Sequence, residues 1–376
     1  MACSSPLYGV RRKVVLEDGI IGYGYLVSGS GELKVHYDNR FQFLSLRKYN
    51  PDNKSNYFAT PQERLKYFNK CKDDPNMDAV LIPCGRCLEC RLEYSRQWAN
   101  RQMLEAATSY NNWFLTLTYS PEHLPKNSQG YPTLIKEHVP EFIKRVRAYF
   151  KYHCHVDNIR FFACGEYGDE HGRPHYHVNF FNLPLFDLEF AFNKNGKPYF
   201  TSKILNELWS DAVPDPNGKR IRGKKGKYKL IPRGIVVVGE LNWDTAAYVA
   251  RYVVKKAKGA TSSVYKDLDI QPEFCQMSTH PGIAREYYDA NKDTIYKYDK
   301  ITVPGGKRVR PSHYYDKLYD VDDPCSLADL KAKRIAVAEA SQEIQLSNTD
   351  LDPLEYQKVC HEALMKKIKS LKRDVI

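Results

Sequence analysis

Two strand-like segments, residues 160–167 and 174–181, are separated by Gly168-Asp169-Glu170-His171-Gly172-Arg173. Glycine supplies backbone conformations that other residues avoid, and Asp closes turns through its side chain, so this link predicts a β-hairpin. Hairpin strands run antiparallel. The chain therefore has to build an antiparallel sheet, and neighbouring segments supply more of it. Trp113-Phe114-Leu115-Thr116-Leu117-Thr118-Tyr119 alternates apolar and hydroxyl residues, which predicts a strand with one buried face, ended by Ser120-Pro121. Residues 234–239 are also strand-like.

Helical spacing occupies other stretches. In residues 91–107, Leu92, Trp98, Ala99, Met103 and Ala106 recur with helical period. Over residues 141–152, Phe142, Ile143, Val146, Tyr149 and Phe150 form one face, and Lys144, Arg145, Arg147 and Lys151 the other. A further helix is predicted over residues 245–258, with Asp244 or Thr245 capping its start and Gly259 its end. The expected class is α+β, an antiparallel sheet with flanking helices, plus a cysteine-rich element and a helical C-terminal tail. The expected organisation is a small β-rich region over 1–70, built on pieces such as Gly22-Tyr23-Gly24-Tyr25-Leu26-Val27 and Leu33-Lys34-Val35-His36-Tyr37. A cysteine-rich element with its helix follows over 71–107, then the sheet domain over 108–260 and an extension over 261–325. A basic helical tail over 326–376 ends in Lys366, Lys367, Lys369, Lys372 and Arg373.

Charge narrows the partners. The 57 Lys and Arg against 45 Asp and Glu leave a net charge of +12, which favours polyanions because neutralised phosphates release their counterions. The same surplus also keeps a basic protein soluble. No basic segment followed by an apolar core opens the sequence, and apolar runs such as Val236-Val237-Val238 are too short to span a bilayer.

Of ten cysteines, four fall between positions 71 and 90 and the rest are scattered. Without a secretory signal a disulfide framework is not expected. Cys84, Cys87 and Cys90 form a C-x-x-C-x-x-C run, and Cys71 offers a fourth thiolate. Four thiolates suit tetrahedral structural Zn²⁺. An iron–sulfur cluster also fits the spacing, and reduced buried thiols are the plain alternative.

In Pro174-His175-Tyr176-His177-Val178 the two histidines lie two apart, so on a strand they share a face. Packed or surface histidines give the same pattern. Glu166 sits nine residues before His175 on the strand that should pair alongside. If the register allows, its carboxylate joins both imidazoles in a set suited to Mn²⁺ or Mg²⁺ acting on a phosphate; with Glu166 included, the metal reading is preferred.

Tyr248 and Tyr252 lie one turn apart on the last predicted helix and share a face. Aromatic pairs so spaced often serve a core. Lys255 and Lys256, three and four residues past Tyr252, favour chemistry instead, because a free phenol has a pKa of about 10 and a nearby cation promotes its ionisation. Attack on DNA would give a 5′-phosphotyrosyl linkage and a free 3′-OH, and a second tyrosine could cut the regenerated site. Residues 219–233 are crowded with cations, among them Lys219, Arg220, Arg222, Lys224, Lys225, Lys227, Lys229 and Arg233, with Tyr228 between them. With Arg251 and Lys256, this arm is a candidate surface for a DNA strand. Solvated charge is the alternative.

These pieces resemble the HUH endonucleases, and more closely the replication initiators of gokushoviruses, which are microviruses. The resemblance rests on Pro83-Cys84-Gly85-Arg86-Cys87-Leu88-Glu89-Cys90-Arg91 with Ser95-Arg96-Gln97-Trp98, and on Phe114 to Tyr119. It also rests on Gly165-Glu166-Tyr167-Gly168 with Gly172-Arg173-Pro174-His175-Tyr176-His177, and on Ala247 to Lys256. Met277-Ser278 and Pro281-Gly282 are similar too. The resemblance covers about residues 70–320. It implies an origin-specific nick in viral double-stranded replicative-form DNA, covalent attachment and later rejoining of the displaced circle. It further implies metal ligands at His175 and His177, nucleophiles at Tyr248 and Tyr252, a motif lysine at Lys255, and Glu166 as a third ligand by similarity to related rolling-circle initiators. No Gly-x-x-x-x-Gly-Lys-Ser/Thr stretch occurs, so a host helicase and polymerase are the expected partners, in the cytoplasm of a bacterial host. Two alternatives remain: another HUH enzyme, such as a relaxase or transposase, and a zinc-stabilised DNA- or RNA-binding protein without catalysis.

Overall fold

The computed structural model of the chain describes residues 7–15, 21–24, 42–43, 47–50, 55–58, 61–85, 87–168, 171–212, 221, 230–251, 261–351 and 353–370. They fall into two compact units, Met1–Arg91 with Leu351–Ile368, and Leu92–Asp350 with Lys369–Ile376.

The first unit contains β1 (Leu7–Val15), β2 (Ile21–Gly24), β3 (Gln42–Phe43), β4 (Arg47–Asn50), β5 (Ser55–Phe58), α1 (Pro61–Lys72) and β6 (Met77–Ile82). Strand β1 pairs antiparallel with β2, β3 and β6, and β4 pairs with β5. On α1, Phe68 and Cys71 lie three apart and bury together with Val10 of β1. The 33–37 piece lies outside the described residues.

The second unit holds most of α2 (Leu88–Ala107) and is organised on one seven-stranded sheet. Along the chain come β7 (Trp113–Leu117), α3 (His138–Cys154), β8 (Arg160–Tyr167), β9 (Pro174–Phe181), β10 (Leu188–Lys194), β11 (Lys197–Ser202), α4 (Lys203–Leu208), β12 (Ser210–Ala212), β13 (Leu230–Pro232), β14 (Val236–Glu240), α5 (Trp243–Arg251), α6 (Thr261–Asp267), β15 (Phe274–Met277), α7 (Arg285–Tyr298), β16 (Ile301–Thr302), β17 (Arg308–Val309), α8 (His313–Asp322) and α9 (Pro324–Ser347). Helix α10 (Pro353–Ser370) follows. The sheet order is β10-β11-β14-β7-β9-β8-β15, and each neighbouring pair is antiparallel. The molecule is α+β with flanking helices, as the sequence predicts, and β8 and β9 match the predicted hairpin strands.

Alternation sends successive side chains of each strand to opposite faces. Leu115, Leu117, Tyr176, Val178 and Phe180 bury against α3 and α4, in a core with Phe142, Ile143, Val146, Phe150 and Leu205. Phe114, Phe162, Cys164 and Phe181 bury on the other face, with Ala99 and Met103 of α2, Ala246 and Val249 of α5, and Tyr288 of α7. Each face removes a large apolar area from water at about 25 cal/mol per Å².

Three local features differ from expectation. Helix α5 is capped by Asn242: its Oδ1 accepts from Thr245 N at 3.1 Å, and Thr245 Oγ1 accepts from Asn242 N at 2.9 Å. This reciprocal box moves the start upstream of Asp244 and Thr245, and Gly259 lies outside the described residues. The edge hairpin β10–β11 was not anticipated, although its turn, Asn195-Gly196, carries positive φ at both residues (53° and 75°), the geometry that Asn-Gly favours. Arg233, counted among the cations of the arm, is buried. Its guanidinium pairs with Asp211 and with Glu141 at 2.9 Å and lies over the Trp209 ring, so it is a packing residue rather than a solvent-facing one.

Candidate active site

On β8 the face turned to α2 and α5 carries Phe162, Cys164 and Glu166; on β9 it carries His175 and His177. The hairpin register sets Glu166 opposite His175 and Cys164 opposite His177, so the period of two and the turn together gather three polar groups at one end of the hairpin. His175 Nε2 lies 2.7 Å and His177 Nε2 2.9 Å from Glu166 Oε1. Glu166 is 1% exposed and His177 fully buried.

Tyr248 comes to the same atom from a distant part of the chain. Helix α5 docks on β8 and β9 through Ala246 and Val249 and is tied to α2, whose Gln102 Nε2 donates to Ala246 O at 3.3 Å. Tyr248 OH then donates to Glu166 Oε1 at 2.7 Å, and its ring meets that of His177 edge-on at 5.1 Å. The Arg251 guanidinium lies 5.1 Å from the centre of the Tyr248 ring. Tyr252, Lys255 and Lys256 lie outside the described residues, as do Lys219, Arg220, Arg222, Lys224, Lys225, Lys227 and Lys229.

Both imidazoles are held from behind. His177 Nδ1 meets Thr116 Oγ1 at 3.0 Å, and its ring stacks on Phe114 at 5.2 Å. His175 Nδ1 faces the Arg173 carbonyl at 3.1 Å. The sequence reading did not single out Thr116, although the hydroxyls alternating through residues 113–119 marked it.

The electrostatics are those of a site for a positive charge. Burial alone would raise the Glu166 carboxyl, but hydrogen bonds from His175 and His177, together with their charge, bring it down to about 2. Burial pushes His177 below the ordinary imidazole range more than Glu166 raises it. Tyr248 is pushed well above the ordinary phenol value by burial and then by the Glu166 charge, with Arg251 pulling the other way. It therefore rests as a phenol at neutral pH.

The donor set fits a divalent cation. The three ligating atoms of Glu166, His175 and His177 lie within 4.8 Å of one another. Glu166 Oε2 is buried without a hydrogen-bond partner among the described residues, a costly state that a cation relieves. A carbonyl oxygen only accepts, so His175 Nδ1 carries a hydrogen. In a neutral ring the Nε2 lone pair then points at a carboxylate oxygen, an arrangement that only a proton or a metal between them makes favourable.

In the first unit, the thiols of Cys84, Cys87 and Cys90 also lie within 4.8 Å of one another. Gly85 at φ +68° makes the turn, and Cys87 N donates to Cys84 Sγ at 3.2 Å. Cys71, expected as a fourth thiolate, is not brought into this group, because its side of α1 is committed to the apolar cluster with Val10 and Phe68. No helix among the described residues is long and apolar enough to cross a membrane.

Comparison with known proteins follows the same lines. Residues 112–257, which carry the hairpin and α5, match the family model of the replication-associated protein ORF2. The chain is 37% identical to the replication-associated protein ORF2 of Spiroplasma virus 4, over 68% of its own length and 74% of that protein. It is 25% identical to the replication-associated protein VP4 of Bdellovibrio phage phiMH2K, over 76% and 82%. It is 33% identical to the replication-associated protein ORF4 of Chlamydia phage 1, over 46% and 38%. The chain belongs to the microvirus replication-associated proteins. No solved structure matches it.

Proposed function

We infer that this protein is a replication-initiator endonuclease that nicks one strand of viral replicative-form DNA at its origin, forms a 5′-phosphotyrosine, leaves a 3′-OH for rolling-circle synthesis and later rejoins the displaced circle. The observation that carries this reading is the Tyr248 hydroxyl held 2.7 Å from the Glu166 oxygen on which both imidazoles converge.

In this reading His175, His177 and Glu166 hold Mg²⁺ or Mn²⁺, which when bound draws charge from a phosphodiester oxygen. The remaining steps belong to the chain. Tyr248 is positioned by the docking of α5, and its hydroxyl already donates to Glu166 Oε1. As the phenol oxygen bonds to phosphorus, the bond to the 3′-oxygen breaks and that oxygen takes up the proton. Arg251, beside the ring, offsets charge that develops on the phenol oxygen. Tyr252 is the second nucleophile, Lys255 its cationic neighbour, and the 219–227 cations with Lys256 hold the strand. Cys84, Cys87 and Cys90 hold a structural zinc. The host supplies helicase and polymerase.

Incubation with single-stranded origin DNA and Mn²⁺ tests the reading. The expected product is a protein–DNA adduct that survives SDS, lost in His175→Ala and His177→Ala, reduced in Tyr248→Phe or Tyr252→Phe, and absent when both tyrosines are replaced. Full nicking by the double Phe variant rules out both assigned nucleophiles.

A further inference from the structure

Outside the sheet, the second unit has a cleft of about 350 Å³ between the β16–β17 hairpin and α9. Lys300, Arg308, Arg310 and Lys333 line it, and none of the four forms an ion pair among the described residues. The apolar side chains of Leu330 and Val337 complete the lining. The carboxylates nearby are committed elsewhere: Asp299 and Asp316 both bind Arg334, at 2.5 and 2.8 Å. That arrangement fixes α9 against the segment leading into the hairpin and leaves four cations around one concavity with no counter-charge.

Like charges gathered this way repel, and a polyanion reverses the sign of that energy. The shape selects among polyanions. A duplex presents a row of phosphates to an outer surface, whereas a concavity with cations and apolar side chains takes one unpaired nucleotide, phosphate on the cations and sugar or base on Leu330 and Val337. We propose that this cleft binds the backbone of single-stranded DNA, as an anchoring site separate from the Glu166–His175–His177 centre. The proposal rests on the reading of DNA as this protein's substrate, but not on the assignment of nucleophile or metal.

The test is equilibrium binding by fluorescence anisotropy in EDTA, where no cleavage contributes, so its failure is distinguishable from failure of the nicking reading. The full chain and Arg308→Ser/Arg310→Ser/Lys333→Ser are titrated with a labelled oligothymidylate 30-mer over a range of NaCl, leaving Arg334 untouched to preserve the fold. The slope of log Kd against log salt should fall by about 0.7 for each cation that had neutralised a phosphate, with weaker binding at every salt concentration. A slope and affinity equal to the parent's overturn the proposal. An equal loss for a 30-bp duplex overturns the assignment to unpaired strands. Displacement of mononucleotide dTMP alone, with strand binding intact, assigns the cleft to free nucleotides and likewise overturns it.

Discussion

Strand β9 carries a histidine–tyrosine network on each of its faces, and the two behave differently. On the α3 face, Tyr176 OH donates to Ile135 O at 3.0 Å and accepts from Ile135 N at 2.9 Å. Because Tyr176 has one proton and spends it there, Tyr119 OH must donate to Tyr176 at 2.8 Å, and His138 Nδ1 must donate to Tyr119 at 2.5 Å. Every proton in this chain has an acceptor. On the α5 face, one carboxylate oxygen faces two imidazoles and a phenol while its twin has no partner among the described residues. A closed network of buried hydrogen bonds specifies a core, whereas an open one holds capacity for something the chain does not itself contain.

That contrast can be broken at either end, and the largest effect is expected at the open one. Glu166→Gln keeps the shape but removes the charge. Adduct formation with Mn²⁺ should fall by about 10²–10⁴-fold with little change in urea-induced unfolding; an unchanged rate would remove Glu166 from the chemistry. Thr116→Val leaves His177 in place but frees its Nδ1. The Mn²⁺ concentration for half-maximal adduct formation should rise by roughly 10–100-fold, whereas a loss of stability without that rise would make Thr116 a packing residue.

On the closed face the readouts exchange. Tyr176→Phe strands Ile135 and Tyr119, and should cost about 1–3 kcal/mol in chemical denaturation while adduct formation per folded molecule is retained. The smallest effect is electrostatic. Burial, then the Arg233 charge, bring His138 down to about 4, below its unfolded value of about 6.5. Between those values the unfolded chain binds more protons than the folded one, so this group's contribution is intact above pH 6.5 and is lost as pH falls towards 4. His138→Gln should flatten that part of the stability profile, and a superimposable profile would show that His138 is not held neutral.

The residues that sequence reasoning reached and missed divide by range. The hairpin strands, their facing and the pairing of Glu166 with His175 follow from a period of two and a turn only a few residues long. The missed hairpin β10–β11 was equally local and could have been read from Asn195-Gly196. Cys71 looked like a ligand by proximity in sequence, yet helical spacing placed it beside Phe68 in an apolar cluster. Arg233 looked like one more surface cation, yet two carboxylates 22 and 92 residues away bury it.

By itself the sequence determined the antiparallel hairpin, the one face on which Glu166, His175 and His177 meet, the thiol cluster at 84–90 and the basic character of the chain, because each depends on dihedral periodicity, turn chemistry or charge within about twenty residues. Only the tertiary structure decided that Tyr248, 82 residues beyond Glu166, reaches that carboxylate, that Thr116 backs His177, and that four cations of the β16–β17 hairpin and α9 share one cleft. Those outcomes depend on which apolar faces bury against which, a choice made by the whole core that no local pattern encodes.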